Sequence, residues 1–255
     1  MSGSGVLPGA NNVTIRDSNL YNYDSPRNTD KIEEGLRKLK DNAVVDRGHR
    51  WNIRPSYSWL NFQHIDLFAL EARVCVLESD LCEDTSAAVE HLCSTLAEHG
   101  KEWIHFAYSK GDPYKNEINK VIFSVASQIA DIFPVSRGYI GRAIAADRHI
   151  FEKSPTEQLQ RLIIAPLQLM KKYLEDNLTP ARVIIENLDQ CGDIDNQLDI
   201  LEMISKIVVQ HNLPLSFIVT TRPNAHINEY IRIGCLRDVT HFIDLQPPCP
   251  EVDMG

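Results

Sequence analysis

The chain has 255 residues, enough for one α/β domain with a sizeable core and a short N-terminal arm. Its formal net charge is −9 and no basic stripe is visible, which argues against nucleic acid and anionic membranes as partners. We find no secretory signal and no apolar run long enough to span a bilayer. We therefore expect a cytoplasmic protein, without membrane insertion, whose six cysteines are reduced.

The N-terminal quarter divides into an arm, a helix and an aromatic linker segment. Residues 1–30 are rich in Asn, Ser, Asp, Gly and Pro, which predicts a flexible arm. Lys31–Asp41 has a charged helical pattern that Thr29 or Asp30 would cap, and the linker follows up to residue 65. The aromatic rings of the linker either pack against the domain or line a ligand cleft. The three rings proposed for such a cleft are Trp51, Tyr57 and Trp59.

From residue 66 onward, apolar strands alternate with helical patterns. The predicted strands are 74–77, 103–108, 182–185, 215–220 and 239–245. The predicted helices are 87–98, 117–132, 136–146, 155–176, 194–211 and 225–233. This alternation predicts a five-stranded parallel sheet with helices on both faces, which is a three-layer α/β domain. The domain would span residues 66–246, and residues 247–255 would form a C-terminal tail.

The first strand-to-helix turn lies where a P-loop fold binds phosphate. Such a turn needs glycines, so that backbone N–H groups can close around the phosphate, and a lysine to meet its charge. No glycine occurs between Gly48 and Gly100, and Thr85 stands at the lysine position. An incoming polyanion would instead meet the carboxylates of Glu78, Asp80, Glu83 and Asp84. The sequence therefore predicts a nucleotide-hydrolase fold that has lost its phosphate site.

Two further segments favour a P-loop architecture. The strand at 182–185 runs into Glu186 and then Leu-Asp-x-Cys, the Walker B layout in which a strand-end acid holds magnesium through water. Further along the chain, the strand at 215–220 runs into Thr-Arg-Pro, which places Arg222 where an arginine senses the γ-phosphate in working enzymes. Each segment alone also suits a buried strand with ordinary turn residues. Their occurrence together, in this order, favours the P-loop fold.

The chain resembles the NACHT-type P-loop NTPase domains of mushroom-forming fungi from about residue 11 to residue 245. The segments that carry the resemblance are 11–15, 106–113, 150–167, 183–191, 211–217 and 221–227. Such domains have Gly-Pro-Ala-Gly-x-Gly-Lys-Ser in the first turn. When the two are aligned on Ser86, the glycine positions hold Ser79, Cys82 and Asp84, and the lysine position holds Thr85. Only Ser86 matches.

The resemblance also implies a degenerate second motif. Glu186 stands for the magnesium-linked aspartate, Asn187 for a glycine and Gln190 for the catalytic glutamate, whereas Asp189 and Arg222 are retained. A glutamine side chain cannot act as a general base. The resemblance thus implies a domain that is not an enzyme, has no catalytic residues and binds neither nucleotide nor magnesium.

We expect a non-enzymatic binding protein that carries a small, largely apolar ligand, such as a pigment or secondary metabolite, in or near the vacated crevice. The alternatives are a protein-interaction or regulatory module that assembles with active relatives, and a residual NTPase. The scattered histidines and cysteines have no metal-site spacing, so no metal is expected. The candidate ligand-binding residues are Ser79, Leu81, Cys82, Thr85, Ser86, Glu186, Asp189, Arg222, Trp51, Tyr57 and Trp59.

Overall fold

A computed structural model describes residues 26–44, 65, 71–109, 117–174 and 180–245. Five strands form one sheet, in which every neighbouring pair is parallel and the order is β2-β3-β4-β1-β5. The strands are β1 Val74–Glu78, β2 Trp103–Ala107, β3 Ala181–Glu186, β4 Leu215–Thr221 and β5 Thr240–Asp244. All five predicted strands are confirmed, and so is the α/β fold class with a five-stranded parallel sheet.

Helices connect the strands and cover the sheet. They are α1 Pro26–Asn42, α2 Cys82–Glu98, α3 Ile118–Ile132, α4 Pro134–Ala146, α5 Pro155–Leu159, α6 Ala165–Leu174, α7 Ile194–Ser205 and α8 Ala225–Ile233. A π-helical turn, Gln160–Ile164, joins α5 to α6 directly before Pro166, whose ring cannot sit in a regular helix interior without breaking a hydrogen bond. A second π-helical turn, Lys206–Gln210, extends α7. No described helix is both long and apolar enough to cross a membrane.

Helices α1 and α2 each begin five residues earlier than the sequence predicts, and α4 begins two residues earlier, at Pro134. Helix α1 begins at Pro26 and not at Lys31, which fits the preference of proline for the first turn of a helix. Helix α2 begins at Cys82 and not at Ala87, so it takes in most of the predicted phosphate-binding turn. The cap predicted at Thr29 or Asp30 is therefore wrong, because both residues lie inside α1.

Helix α1 is part of the core. Ile32, Leu36 and Leu39 recur at helical spacing and are buried against α3 and α4. The crossing with α4 is close, since a Cβ added at Gly141 would come within 2.5 Å of Ile32 Cγ2. The helix therefore packs as an integral layer of the domain.

The sheet is buried on both faces, as its near-continuous apolar strands predict. One face packs against α2, with Cys75, Leu77 and Ile184 in the contact. The other face packs against a larger apolar cluster that includes residues of α1 and of α3 through α8. Because all strands run parallel, the turns that follow β1, β3 and β4 meet at one edge of the sheet, which we call the carboxyl edge.

Candidate functional site

The turn after β1 is reduced to three residues, Ser79–Leu81, because α2 begins at Cys82. Ser79 Oγ donates to Asp84 Oδ2 at 2.9 Å and accepts from Leu81 N at 3.1 Å. Ser79, Asp84 and Thr85 are almost completely buried, with relative exposures of 1%, 3% and 1%. The residues at the glycine and lysine positions of the motif thus lie in this three-residue turn and in the first turn of α2.

The carboxylate of Asp84 does not lie where the sequence analysis predicted it. We expected its carboxylate to face an incoming anion from a loop, together with those of Glu78, Asp80 and Glu83. The structure instead buries the Asp84 carboxylate, and the Ser79 hydroxyl satisfies it. Asp80 is exposed, as expected for a charged turn residue.

A second group lies where α2, β2 and β3 meet at the carboxyl edge. Ser86 Oγ donates to Glu186 Oε1 at 2.6 Å, and His105 Nε2 donates to Glu186 Oε2 at 3.0 Å. The Glu186 side chain is only 5% exposed. Both oxygens of the acid at the magnesium-linked position therefore already accept from protein donors.

The sequence analysis did not single out His105. Side chains alternate along a strand, so His105 shares a face with Trp103, and Glu186 shares a face with Ile184. The parallel register pairs His105 with Ile184, which brings the two polar side chains to the same face under α2. A polar residue in an otherwise apolar strand is the signal that the sequence offered. The strand order was needed to identify Glu186 as the hydrogen-bond partner of His105.

A third group ties the turn after β3 to the turn after β4. Arg222 Nε donates to Asp189 Oδ2 at 2.7 Å, and the Arg222 backbone N–H donates to Oδ1 at 3.2 Å. The Asp189 side chain is 4% exposed, whereas the Arg222 side chain is 53% exposed. The arginine that the resemblance places at the γ-phosphate is thus held by the retained aspartate. The exposed part of the Arg222 side chain faces solvent.

Two further contacts fix these turns. Gln197 Nε2 donates to the carbonyls of Asp189 and Cys191, and His226 Nε2 lies 2.7 Å from Gln197 Oε1. Asn187, at the position of a glycine in the related motif, has a left-handed backbone with φ of 59°, which asparagine tolerates better than most residues. The turn is therefore held in one conformation by buried bonds.

The structure brings together most of the predicted site residues and leaves others outside its described part. At the carboxyl edge lie Ser79, Leu81, Thr85, Ser86, Glu186, Asp189 and Arg222. Of these seven, only Leu81 and Arg222 are exposed. The assignments that stay predictions, because the side chains fall outside the described residues, are those of Cys82, Trp51, Tyr57 and Trp59.

Two of the described thiols are buried in the cluster between the sheet and α2. Burial raises the pKa of both Cys75 and Cys93 to about 12, so both stay protonated at neutral pH. The four described cysteines, which include Cys191 and Cys235, are all free. Within the described residues, no group of three or more His, Cys, Asp or Glu side chains could hold a metal ion.

Comparison with known families gives a clear result. Residues 84–222 match the family described as Nephrocystin 3, N-terminal, and the match covers more than half of the chain. The chain belongs to the nephrocystin 3 N-terminal family. The matched region of this family member runs from the first turn of α2 to Arg222, so it includes Ser86, Glu186 and Asp189. It supports a P-loop NTPase-like domain of the NACHT-related kind.

Other comparisons add little. No curated protein matches the chain. Among solved structures, a chain of Drosophila ORC bound to GC-rich DNA and Cdc6 aligns with a TM-score of 0.42 and 11% identity. The alignment covers 98% of this nephrocystin 3 N-terminal family member but only 37% of the other chain. A likeness at this level says nothing of what the protein binds.

Proposed function

We propose that this protein is a non-enzymatic interaction module built on a P-loop fold, and that its vestigial nucleotide site is kept closed by internal bonds. One observation carries the proposal. At the carboxyl edge, the pairs Ser79–Asp84, Ser86–Glu186 and Asp189–Arg222 bond to each other at the positions that the related motif uses for phosphate and magnesium.

The energetics of these bonds oppose nucleotide binding. A hydrogen bond to a charged group contributes about 1.5–3 kcal/mol. Opening both Ser79–Asp84 and Ser86–Glu186 would then cost about 3–6 kcal/mol, which weakens binding roughly a hundredfold to ten-thousandfold. The missing lysine and the nearby carboxylates reduce the affinity further.

The catalytic positions oppose hydrolysis as well. Gln190 lies in the turn Leu188–Gln190, at the position of the catalytic glutamate in the related motif. Its amide cannot take a proton from an attacking water at neutral pH. The closed site and this substitution both support a role that does not involve turnover.

The exposed side chains of the carboxyl edge suit a protein partner. Leu81, in the turn after β1, is 57% exposed, and Ile194, the first residue of α7, is 52% exposed. Asp80 precedes Leu81 in the chain, Asp193 and Asp195 flank Ile194, and all three acids are exposed. Apolar side chains rimmed by charges are typical of protein interfaces, whereas a small-molecule site is usually concave and largely preformed.

A small apolar ligand remains a second candidate because Leu81 is apolar and exposed at this edge. Native mass spectrometry of the protein purified from its source tissue tests this candidate. A stoichiometric mass excess that disappears on denaturation would favour ligand carriage over the interaction module.

Titration calorimetry with Mg·ATP and Mg·GTP tests the proposal directly. We expect no binding heat and no nucleotide hydrolysis. The matched control is Ser86→Ala, which removes the one residue of the first motif that is retained. Micromolar binding by the wild-type protein that is lost in this variant would overturn the proposal, because it would show that the nucleotide site still works.

A further inference from the structure

Glu78 is the last residue of a column of β1 side chains that packs towards α8. Alternate residues of a strand point to the same face of a sheet, so Val74, Val76 and Glu78 share one face. Val74 and Val76 are completely buried in the apolar cluster to which Ile227 and Ile231 of α8 also belong. An acid therefore occupies the final position of an otherwise apolar column.

Asn228 on α8 contacts this acid. Its side chain hydrogen-bonds to the carboxyl group of Glu78. An asparagine side chain has an amide nitrogen that donates and a carbonyl oxygen that only accepts, whereas an ionised carboxylate only accepts. When Glu78 is ionised, the bond must therefore run from the Asn228 amide nitrogen to one carboxylate oxygen.

The other two oxygens of this pair are left unsatisfied. Glu78 Oε1 and Asn228 Oδ1 are both buried, and neither has a hydrogen-bond partner among the described residues. The great majority of buried polar atoms in folded proteins do have a partner, because an unsatisfied one is costly. Since both oxygens are acceptors, what the pair lacks is a hydrogen atom to donate.

A single proton on Glu78 would satisfy both atoms. A protonated carboxyl group has an O–H that donates and a second oxygen that still accepts. With the proton on Oε1, this oxygen donates to Asn228 Oδ1, while the other carboxyl oxygen accepts from the Asn228 amide nitrogen. The acid and the amide are then joined head to head by two hydrogen bonds, and no acceptor of the pair remains unsatisfied.

The surroundings of Glu78 also favour its protonated form. Burial has the largest effect and raises the pKa of Glu78, whereas the bond to Asn228 and the charge of Arg232 lower it in part. Asp244, the register partner of Glu78 on β5, raises the pKa further. The Arg232 guanidinium stacks over the Phe242 ring at 4.3 Å. Among the described residues, Arg232 and Asp244 are the charged groups that act on Glu78, and they do not cancel the effect of burial.

We propose that Glu78 and Asn228 form a pH-sensitive contact, which holds α8 on β1 when Glu78 carries a proton. Solvent supplies the proton and takes it back, so no other reactant is needed. When Glu78 loses the proton, the pair loses one of its two hydrogen bonds and a buried charge is left beside α8. The proposal is independent of the interaction role above, because neither residue belongs to the three bonded pairs of the vestigial site.

Linkage fixes the direction of the pH effect. A carboxyl group whose pKa is raised by folding stabilises the folded state fully below its unfolded value, here 4.5. That contribution is lost as the pH rises through the folded-state pKa. The attachment of α8 should therefore weaken as the pH rises above 4.5. Because one proton is involved, the change is at most about tenfold per pH unit.

Hydrogen exchange of the α8 amides, measured by NMR from about pH 4 to pH 8 and corrected for intrinsic rates, tests the contact. In the wild type, protection should fall by up to about tenfold per pH unit until Glu78 is fully ionised. In Glu78→Gln the new amide donates to Asn228 Oδ1 at every pH, so protection should stay high throughout. Glu229→Gln removes an exposed acid from the same helix and should behave as the wild type does.

Titration of the side-chain carboxyl carbons in the same samples gives a second readout. The midpoint of Glu78 should lie above that of the exposed Glu229. In Asn228→Asp two carboxyl groups face each other and compete for one proton, so the upper midpoint of the pair should rise further.

Three results would overturn the proposal. One is a Glu78 midpoint at or below that of Glu229. Another is an Asn228→Asp variant whose upper midpoint is not raised, since the two side chains would then not face each other. The third is α8 protection that depends on pH no more in the wild type than in Glu78→Gln. None of these results would affect the calorimetric test of nucleotide binding.

Discussion

The bond between Ser79 and Asp84 can be tested by removing one partner. In Ser79→Ala, Asp84, a residue that is 3% exposed, would lose the side-chain donor that satisfies its carboxylate. A buried group left unsatisfied costs about 1–3 kcal/mol, and more when it is charged. Against a typical stability of about 5–15 kcal/mol this is a large loss. With a urea m-value of about 2 kcal/mol per M, the unfolding midpoint should fall by about 0.5–1.5 M.

A second variant separates this mechanism from a general packing defect. In the double variant Ser79→Ala/Asp84→Ala no buried charge remains, so its loss of stability should be clearly smaller than the sum of the two single losses. Ser94→Ala, an exposed serine on the same helix whose hydroxyl bonds only to the Glu90 carbonyl, is the matched control and should change stability by less than about 0.5 kcal/mol. A Ser79→Ala protein as stable as this control would refute the claim that the bond closes the site.

Two further predictions concern α1 and Glu78. Gly141→Ala should destabilise the fold by about 1–3 kcal/mol in urea unfolding, since the new Cβ would lie 2.5 Å from Ile32 Cγ2; an unchanged midpoint would mean that α1 does not pack closely on α4. Burial raises the pKa of Glu78 above its ordinary value of 4.5, and Oε1 is buried without a hydrogen-bond partner, so the ionised form destabilises the folded state. Glu78→Gln should therefore be more stable than wild type at pH 7, and its advantage should fade as the pH falls from the raised folded-state pKa towards the ordinary value of 4.5. An advantage that grows in acid would contradict this sign.

The strands were predictable because their signal is local. Each is a short apolar run bounded by polar turn residues, and all five fall where the sequence places them. The start of α2 was wrong for a specific reason: the P-loop comparison assigned residues up to Ser86 to a turn. Thr85 is buried one turn before Ala88 and Val89, so the helical pattern already extends into that turn. The local pattern was the better guide there.

The bonds within the site could not be predicted because they depend on the strand order. Glu186 accepts from His105 only because β2 lies next to β3, and Asp189 accepts from Arg222 only because β3 lies next to β4. Short apolar strands specify neither their neighbours nor their register at long range.

The bonds at the carboxyl edge distinguish this site from a working nucleotide site. A working site keeps its polar groups ready for a ligand, whereas here the pairs Ser79–Asp84, Ser86–Glu186 and Asp189–Arg222 bond to each other. The same edge also holds the buried Glu78 Oε1, which has no hydrogen-bond partner among the described residues. The three bonded pairs are the observation on which the proposed role without nucleotide turnover rests.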